Sequence, residues 1–230
     1  MKNPRNIIDR FCYNHPNFGV PNLMKYICIA NVAFWIIGAV NPVLLSYLSF
    51  SPAHIMRGQV WRLFSFIFYP PSSGLLAFIA FYFYYWIGST LEQYWGTAQF
   101  NVYFFSGVIL TVIYGMAVYF ITGLNFVLSA QYIYLSMFFS FAALFPDMQV
   151  LLFFIIPIKM KYLAYVDWAL FILQLIVGDW ATRGAIIASL LNFFLFFGGD
   201  FIRWIKNQKK YGAQRRNFRR AMKENQNRYW

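Results

Sequence analysis

The chain alternates long apolar runs with short polar breaks, and most of the runs are long enough for a membrane helix. Leu23–Val40 is the first, and it ends at Asn41-Pro42, because proline cannot continue the backbone ladder. Gly74–Leu91 follows as an apolar run of 18 residues, enough to cross a bilayer. Phe100–Ile121 and Val127–Phe145 come next, joined by Thr122–Asn125, and Pro146-Asp147 stops the second of them. Tyr162–Val177 and Gly184–Ile202 complete a set of six. Two apolar intervals do not fit the helix pattern. Asn41–Ser72 carries Trp61, Phe64, Phe66, Phe68 and Tyr69, as suits a segment lying in the membrane interface. Val150–Ile158 is too short to span and is broken by Pro157, so it is expected as an embedded connection. The pattern predicts an all-α integral membrane bundle over residues 23–202. A polar lead precedes it at 1–22, with a helical turn around Ile7–Tyr13, and a basic tail follows at 203–230.

Composition strengthens this picture. Of 230 residues, 60% are hydrophobic, 23% aromatic and 11% charged, where a soluble domain carries about 25% charged residues. The net charge of +12 is unevenly placed: no charged residue lies between Gln93 and Pro146, while ten Lys and Arg follow from Arg203 onward. Cys12 and Cys28 suggest neither a disulfide framework nor a metal site, and no cofactor is expected. The lead has no apolar core of a cleavable signal peptide.

Charge also orients the bundle. With six helices, one side holds Lys2, Arg5, Arg10, Lys25, Lys159, Lys161 and the ten tail cations. The other holds Arg57, Arg62 and Arg183. The positive-inside rule places both termini in the cytoplasm. The membrane expected is a bacterial cytoplasmic membrane.

A signature runs through the second helix: a loop with Gly58, Trp61 and Arg62, then an apolar run, then Gly88, Glu92 and Gly96 in a G-x3-E-x3-G spacing. The segment FFIIPIKMKYLA before the fifth helix fits the same pattern. Together these features resemble the rhomboid superfamily. The resemblance implies a six-helix intramembrane protease fold with an interfacial loop between helices 1 and 2. It gives Trp61, Arg62, Gly88, Glu92 and Gly96 architectural roles: Trp61 anchors the loop, Arg62 bonds loop backbone, and Glu92 accepts N–H bonds at the turn before helix 3.

The chemistry of that family is missing. Rhomboid proteases use a helix-4 serine in a GxSG motif, activated by a helix-6 histidine, because a serine hydroxyl needs a base to become a nucleophile. Counting back fifteen residues from Pro146 lands on Gln131, within Ser129-Ala130-Gln131-Tyr132. The helix-6 Ala-His pair is replaced by Ala188-Ser189, and the helix-2 oxyanion donors by Leu76 and Ala80. The two histidines are His15 and His54, both outside the apolar runs. Gly184–Ile202 contains no lysine, and Asp200 sits at its cytoplasmic end. No catalytic residues are therefore assigned.

The other polar positions have structural readings beside functional ones. Gln131, Tyr132, Ser189 and Asn192 form either a hydrogen-bond cluster joining helix 4 to helix 6 or a polar notch for a client helix. Ser136 and Ser140, and Gly107, Thr111 and Gly115, have the spacing of close helix packing. Asp167 is expected to meet interfacial water or pair with Lys159 or Lys161. In the tail, Lys206, Lys209, Lys210, Arg215, Arg216, Arg219 and Arg220 suit anionic lipid headgroups or RNA.

The function expected is a rhomboid-like pseudoprotease, similar in kind to derlins, that binds transmembrane or membrane-near segments of client proteins. Its partners would be membrane lipids and those clients. The alternatives are an intramembrane serine endopeptidase, and a membrane-protein biogenesis factor whose tail contacts the ribosome.

Overall fold

The computed structural model describes residues 7–15, 18–70, 74, 76–152, 156–179, 182–194 and 196. The basic tail 203–230, residues 1–6 and Asp200 lie outside the described residues. Met1–Phe193 forms one unit. Phe194–Trp230 forms another, of which Phe194 and Phe196 are described.

The lead contains α1 (Ile7–Asn14). Next, α2 spans Leu23–Val40, the same bounds the apolar pattern predicts. Asn41 explains the sharp end. Its N–H donates to the Ile37 carbonyl at 2.9 Å, and its side chain accepts from the Val43 N–H at 3.1 Å. One residue thus closes α2 and opens α3 (Pro42–Ser46). The aromatic interval then continues as α4 (Pro52–Met56), α5 (Arg62–Ser65) and a 3-10 turn at Phe66–Phe68. Proline stands at the start of α3 and of α4, where its missing N–H costs nothing.

The helix α6 covers Leu76–Trp95, one turn further than the apolar run predicts. Gly96 has φ 91, a conformation open to glycine, and it leads directly into α7 (Thr97–Thr122). Gly88 is a contact point: a Cβ there would collide with Met24 of α2.

Two connections differ from expectation. The helix α8 is Gln131–Leu144 and does not begin at Val127. Leu128 instead donates its N–H to the Phe50 carbonyl at 3.2 Å, forming an isolated antiparallel bridge. A backbone bonded to a distant segment cannot also start a helical turn, so the connection runs over residues 123–130 and not Thr122–Asn125. The interval Val150–Ile158 is a β-hairpin. Its strands β1 (Gln149–Leu152) and β2 (Ile156–Lys159) pair antiparallel, with Val150 opposite Ile158 and Leu151 opposite Pro157. Both strands are edges, which is where proline is tolerated.

The last described helices are α9 (Met160–Val177) and α10 (Thr182–Phe194). By length and composition α2, α7 and α9 are able to cross a membrane, while α8 and α10 are shorter apolar helices. Thus the chain is mostly helical and carries several membrane-spanning segments. At the centre stands α8, whose Ile133, Tyr134, Met137, Phe138, Phe139 and Phe141 are all buried. Aromatic pairs tie it outward: Tyr84 of α6 stacks on Tyr134 at 4.6 Å, and Phe171 of α9 meets Phe139 edge-on at 5.2 Å.

Candidate functional site

Arg62 is 4% exposed, and the chain around it is folded to satisfy its guanidinium. Nη1 donates to the carbonyls of Ser46 at 2.7 Å and Ser49 at 2.8 Å, and Nε donates to Gln59 Oε1 at 2.6 Å. The guanidinium also lies 5.8 Å from the centre of the Tyr47 ring. Burial pulls its pKa below the ordinary arginine value, and Tyr47 opposes that shift. A buried cation without a carboxylate is tolerable when several carbonyls receive its protons. Trp61 is half exposed, and its indole N–H reaches the Tyr47 carbonyl at 3.3 Å. These two residues hold together the loop from α3 to α5.

At the opposite signature position, Glu92 is buried on the last turn of α6. Its Oε1 accepts the Asn22 N–H at 2.8 Å and the Thr97 hydroxyl at 3.1 Å. The backbone donor therefore comes from the N-terminal lead, and the turn before α7 contributes a side-chain hydroxyl. Asn101, fully buried on α7, completes the corner. Its side chain accepts from the Val20 N–H and donates to the Val20 carbonyl, both at 3.0 Å, and donates to the Thr97 carbonyl at 2.8 Å. Sequence reasoning missed Asn101. Its one signal is an amide in an uncharged helix, where an unsatisfied polar group is costly.

The positions where the resemblance would put catalysis are built differently. Gln131 is the first residue of α8 and is exposed. Its N–H lies 3.4 Å from the Ser129 hydroxyl. Tyr132 is half-buried and is hydrogen-bonded to the Thr182 side chain at the start of α10. Ser189 is buried, and its hydroxyl has no partner. Asn192 is fully buried, but it serves α7: it accepts from the Ser106 hydroxyl at 2.7 Å and donates to the Tyr103 carbonyl at 3.2 Å. Among the described residues Gln131, Tyr132, Ser189 and Asn192 make no hydrogen bond to one another, and Tyr132 reaches α10 at Thr182. Asn192 turned to α7 because Gly107 leaves room for its amide. Leu76 opens α6, and Ala80 lies one turn further along the same helix.

The serines of α8 are also engaged. Ser136 accepts from the buried Tyr103 hydroxyl at 3.0 Å, and Ser140 donates to that hydroxyl at 2.9 Å. Both serines additionally bond to backbone carbonyls of their own helix. A second buried link runs from Asn31 of α2 to the Tyr134 hydroxyl at 3.1 Å, and on to the Ile67 carbonyl at 3.0 Å. These networks join α2, α7 and α8 and engage the hydroxyls of Ser136 and Ser140.

One serine does meet a histidine. Ser51 Oγ is 2.9 Å from His54 Nδ1 and 3.0 Å from Asn125 Oδ1. The Ala53 N–H also points at Asn125 Oδ1, at 3.3 Å. That oxygen is therefore an acceptor, and it takes the single Ser51 proton. With that proton donated to Asn125 Oδ1, His54 Nδ1 is the donor to Ser51. The contact ties the α4 segment to the α7–α8 connection.

Asp147 accepts from both Lys159 at 3.3 Å and Lys161 at 3.0 Å. Those hydrogen bonds, with Lys161 first and Lys159 second, hold its pKa below the ordinary carboxylate value. Of the two roles expected for Asp167, interfacial water or one of these lysines, the lysine pairing is not formed. The hairpin carries Lys159 back beside Asp147, and Lys161 follows it. Asp179 accepts the Thr182 N–H at 3.1 Å at the start of α10, and its bond to the Thr182 side chain lowers its pKa. Among the described residues no three His, Cys, Asp or Glu side chains come together as a metal site would need.

The arrangement is a helical membrane core in which Arg62, Glu92 and Asn101 are densely bonded to backbone and side-chain groups. A family model described as the Der1-like family matches residues 20–215. No curated protein and no solved structure matches the chain significantly. The match covers the loop around Arg62, the Glu92 corner and all the described apolar helices, and on that extent the chain belongs to the Der1-like family.

Proposed function

We propose that the chain is a catalytically inactive, rhomboid-like membrane protein that engages transmembrane or membrane-near segments of other proteins. The observation that carries the loss of catalysis is Ser189, a buried and unpartnered hydroxyl where a helix-6 base would stand. Gln131 at the opposing position has no nucleophilic group, and the sequence has no histidine after His54. Membership of a family whose members generally lack catalysis supports the same reading.

Client engagement is supported by what remains around the lost site. Gln131 is exposed at the start of α8, with half-buried Tyr132 next to it. An exposed amide at a helix start can bond a neighbouring chain that enters from the membrane. A photo-crosslinker at Gln131 in native membranes tests this, with capture of transmembrane proteins expected. Labelling of lipid alone would remove the client reading. A serine-directed fluorophosphonate probe separates this reading from an endopeptidase, and no labelling is expected.

The six-helix count and the placement of both termini in the cytoplasm belong to this proposal. Cysteine accessibility should place Val60 outside and Asn3, Gln149 and Arg215 inside. The basic tail would adhere to anionic headgroups, at about 1 kcal/mol for each cation near the surface. Salt-sensitive binding to ribosomes but not to anionic vesicles would favour the biogenesis role instead.

A further inference from the structure

Among the described residues Asp167 makes no hydrogen bond and no ion pair. It is half-buried, seven residues into an apolar helix that starts at Met160, which is about 10 Å along the axis at 1.5 Å per residue. The lysines nearest in sequence are committed to Asp147. Across from it on α6 the polar group within electrostatic reach is Tyr84, itself stacked on Tyr134. Gln174 stands two turns beyond Asp167 on the same side of α9, since seven residues return to nearly the same face. It is exposed, and its side chain also has no partner among the described residues.

The face beside them explains how both are presented. Met160, Ala164 and Phe171 are the buried residues of α9, and Phe171 seats the helix against α8. Asp167 shares the stripe of these buried residues, three after Ala164 and four before Phe171, yet stays half-buried, while Gln174 further along it is exposed, as are Val166, Leu170 and Leu173. A surface meant for lipid alone is apolar throughout. A carboxyl and an amide there are costly unless something pairs with them, and acids inside a membrane helix mark binding or transfer sites. A partner that brings a positive charge to Asp167 and a polar group about two turns along would satisfy both side chains.

We propose that this edge of α9 docks a client transmembrane helix carrying a basic residue, with Lys or Arg set against Asp167 and a second polar side chain against Gln174. The inference rests on the client-binding reading and names its substrate class. It selects hydrophobic segments that are poorly suited to lipid because they bury an unpaired cation. Charge complementarity decides the occupant: a second copy of this chain would set Asp167 against another acid or an apolar surface.

The test uses the full chain in membranes and two probes. One is a Leu/Ala segment of about 20 residues with a single central Lys, and the other is the same segment with Leu at that position. A crosslinker on the probe reads its capture by α9. The Lys probe should be captured about threefold to thirtyfold better than the Leu probe, the range expected for a polar contact between membrane helices. Asp167→Asn should remove that preference, so that the Lys probe is captured no better than the Leu probe. An Asp167→Lys variant should recover capture with a probe bearing Asp in place of Lys, which shows that charge and not folding was lost. Equal capture of both probes, unaffected by Asp167→Asn, would overturn the inference and leave the client-binding reading standing. Capture of neither probe would overturn both.

Discussion

The loop around Arg62 and the helix start around Gln131 differ in how their polar groups are used. Every donor named on Arg62 has an acceptor within 2.8 Å, and the residue is almost fully buried. Gln131 is exposed, and Ser189, at the matching catalytic position, keeps a hydroxyl with no partner. The Glu92–Asn101 corner resembles the Arg62 loop, with side chains spent on backbone groups of a distant segment. The contrast separates two demands that an intramembrane enzyme combines. A fold signature must satisfy polar groups inside a low-dielectric medium, and that demand remains after chemistry is gone.

If this contrast is right, the largest effect should come from Arg62→Ala. The Ser49 carbonyl is buried with it, and losing a charged donor to a buried acceptor should cost about 2 to 3 kcal/mol. Thermal unfolding in detergent would measure the loss. Arg62→Lys should recover only part of it, because an ammonium cannot reach Gln59 and the two carbonyls as a fork does. A stability unchanged by Arg62→Ala would break the comparison.

Asn101→Ala should come next, at about 1 to 2 kcal/mol, since three hydrogen bonds disappear from a buried site. The expected readout is local: faster amide exchange at Val20 and Asn22 and greater labelling of Cys12, with α7 intact. A uniform loss across all helices would mean that the corner supports the whole bundle.

The Asp147 contacts are exposed and should matter less. Its folded pKa lies below the ordinary value of 3.8. Its contribution is therefore complete above the unfolded value and is lost as the pH falls through the lowered folded value. Exchange at Val150 and Ile158 should stay constant from neutral pH down to about pH 5 and rise below about pH 4, the region where a carboxylate takes up its proton. High salt should weaken the same contacts at neutral pH. A hairpin that opened between pH 6 and 7 would point to another group.

The smallest effects belong to the positions where the rhomboid resemblance would put catalysis. Ser189→Ala should be neutral within about 0.5 kcal/mol or slightly stabilising, because it removes a buried hydroxyl that has no partner. Gln131→Ser combined with Ser189→His should still yield no cleavage of a rhomboid substrate. Tyr132 occupies the place of the motif's second glycine, and Leu76 and Ala80 supply no oxyanion donors. Activity in that double variant would show that the site is dormant and not dismantled.

The sequence by itself determined the membrane class, the bounds of α2, the signature residues and the missing histidine. These depend on local composition: an apolar run must become a helix in lipid, proline must end it, and an absent imidazole is absent in every fold. Only the tertiary structure decided the partners. Asn31 bonds Tyr134 across 103 residues, and Asn192 reaches Tyr103 across 89. The pairing of Lys159 and Lys161 with Asp147 depends on a hairpin that an apolar run with a proline does not announce. That pairing is what leaves Asp167 alone. Hydrogen bonds between segments so far apart are set by which helix faces meet, and helix packing follows the shapes of side chains on both partners, which no single stretch of sequence contains.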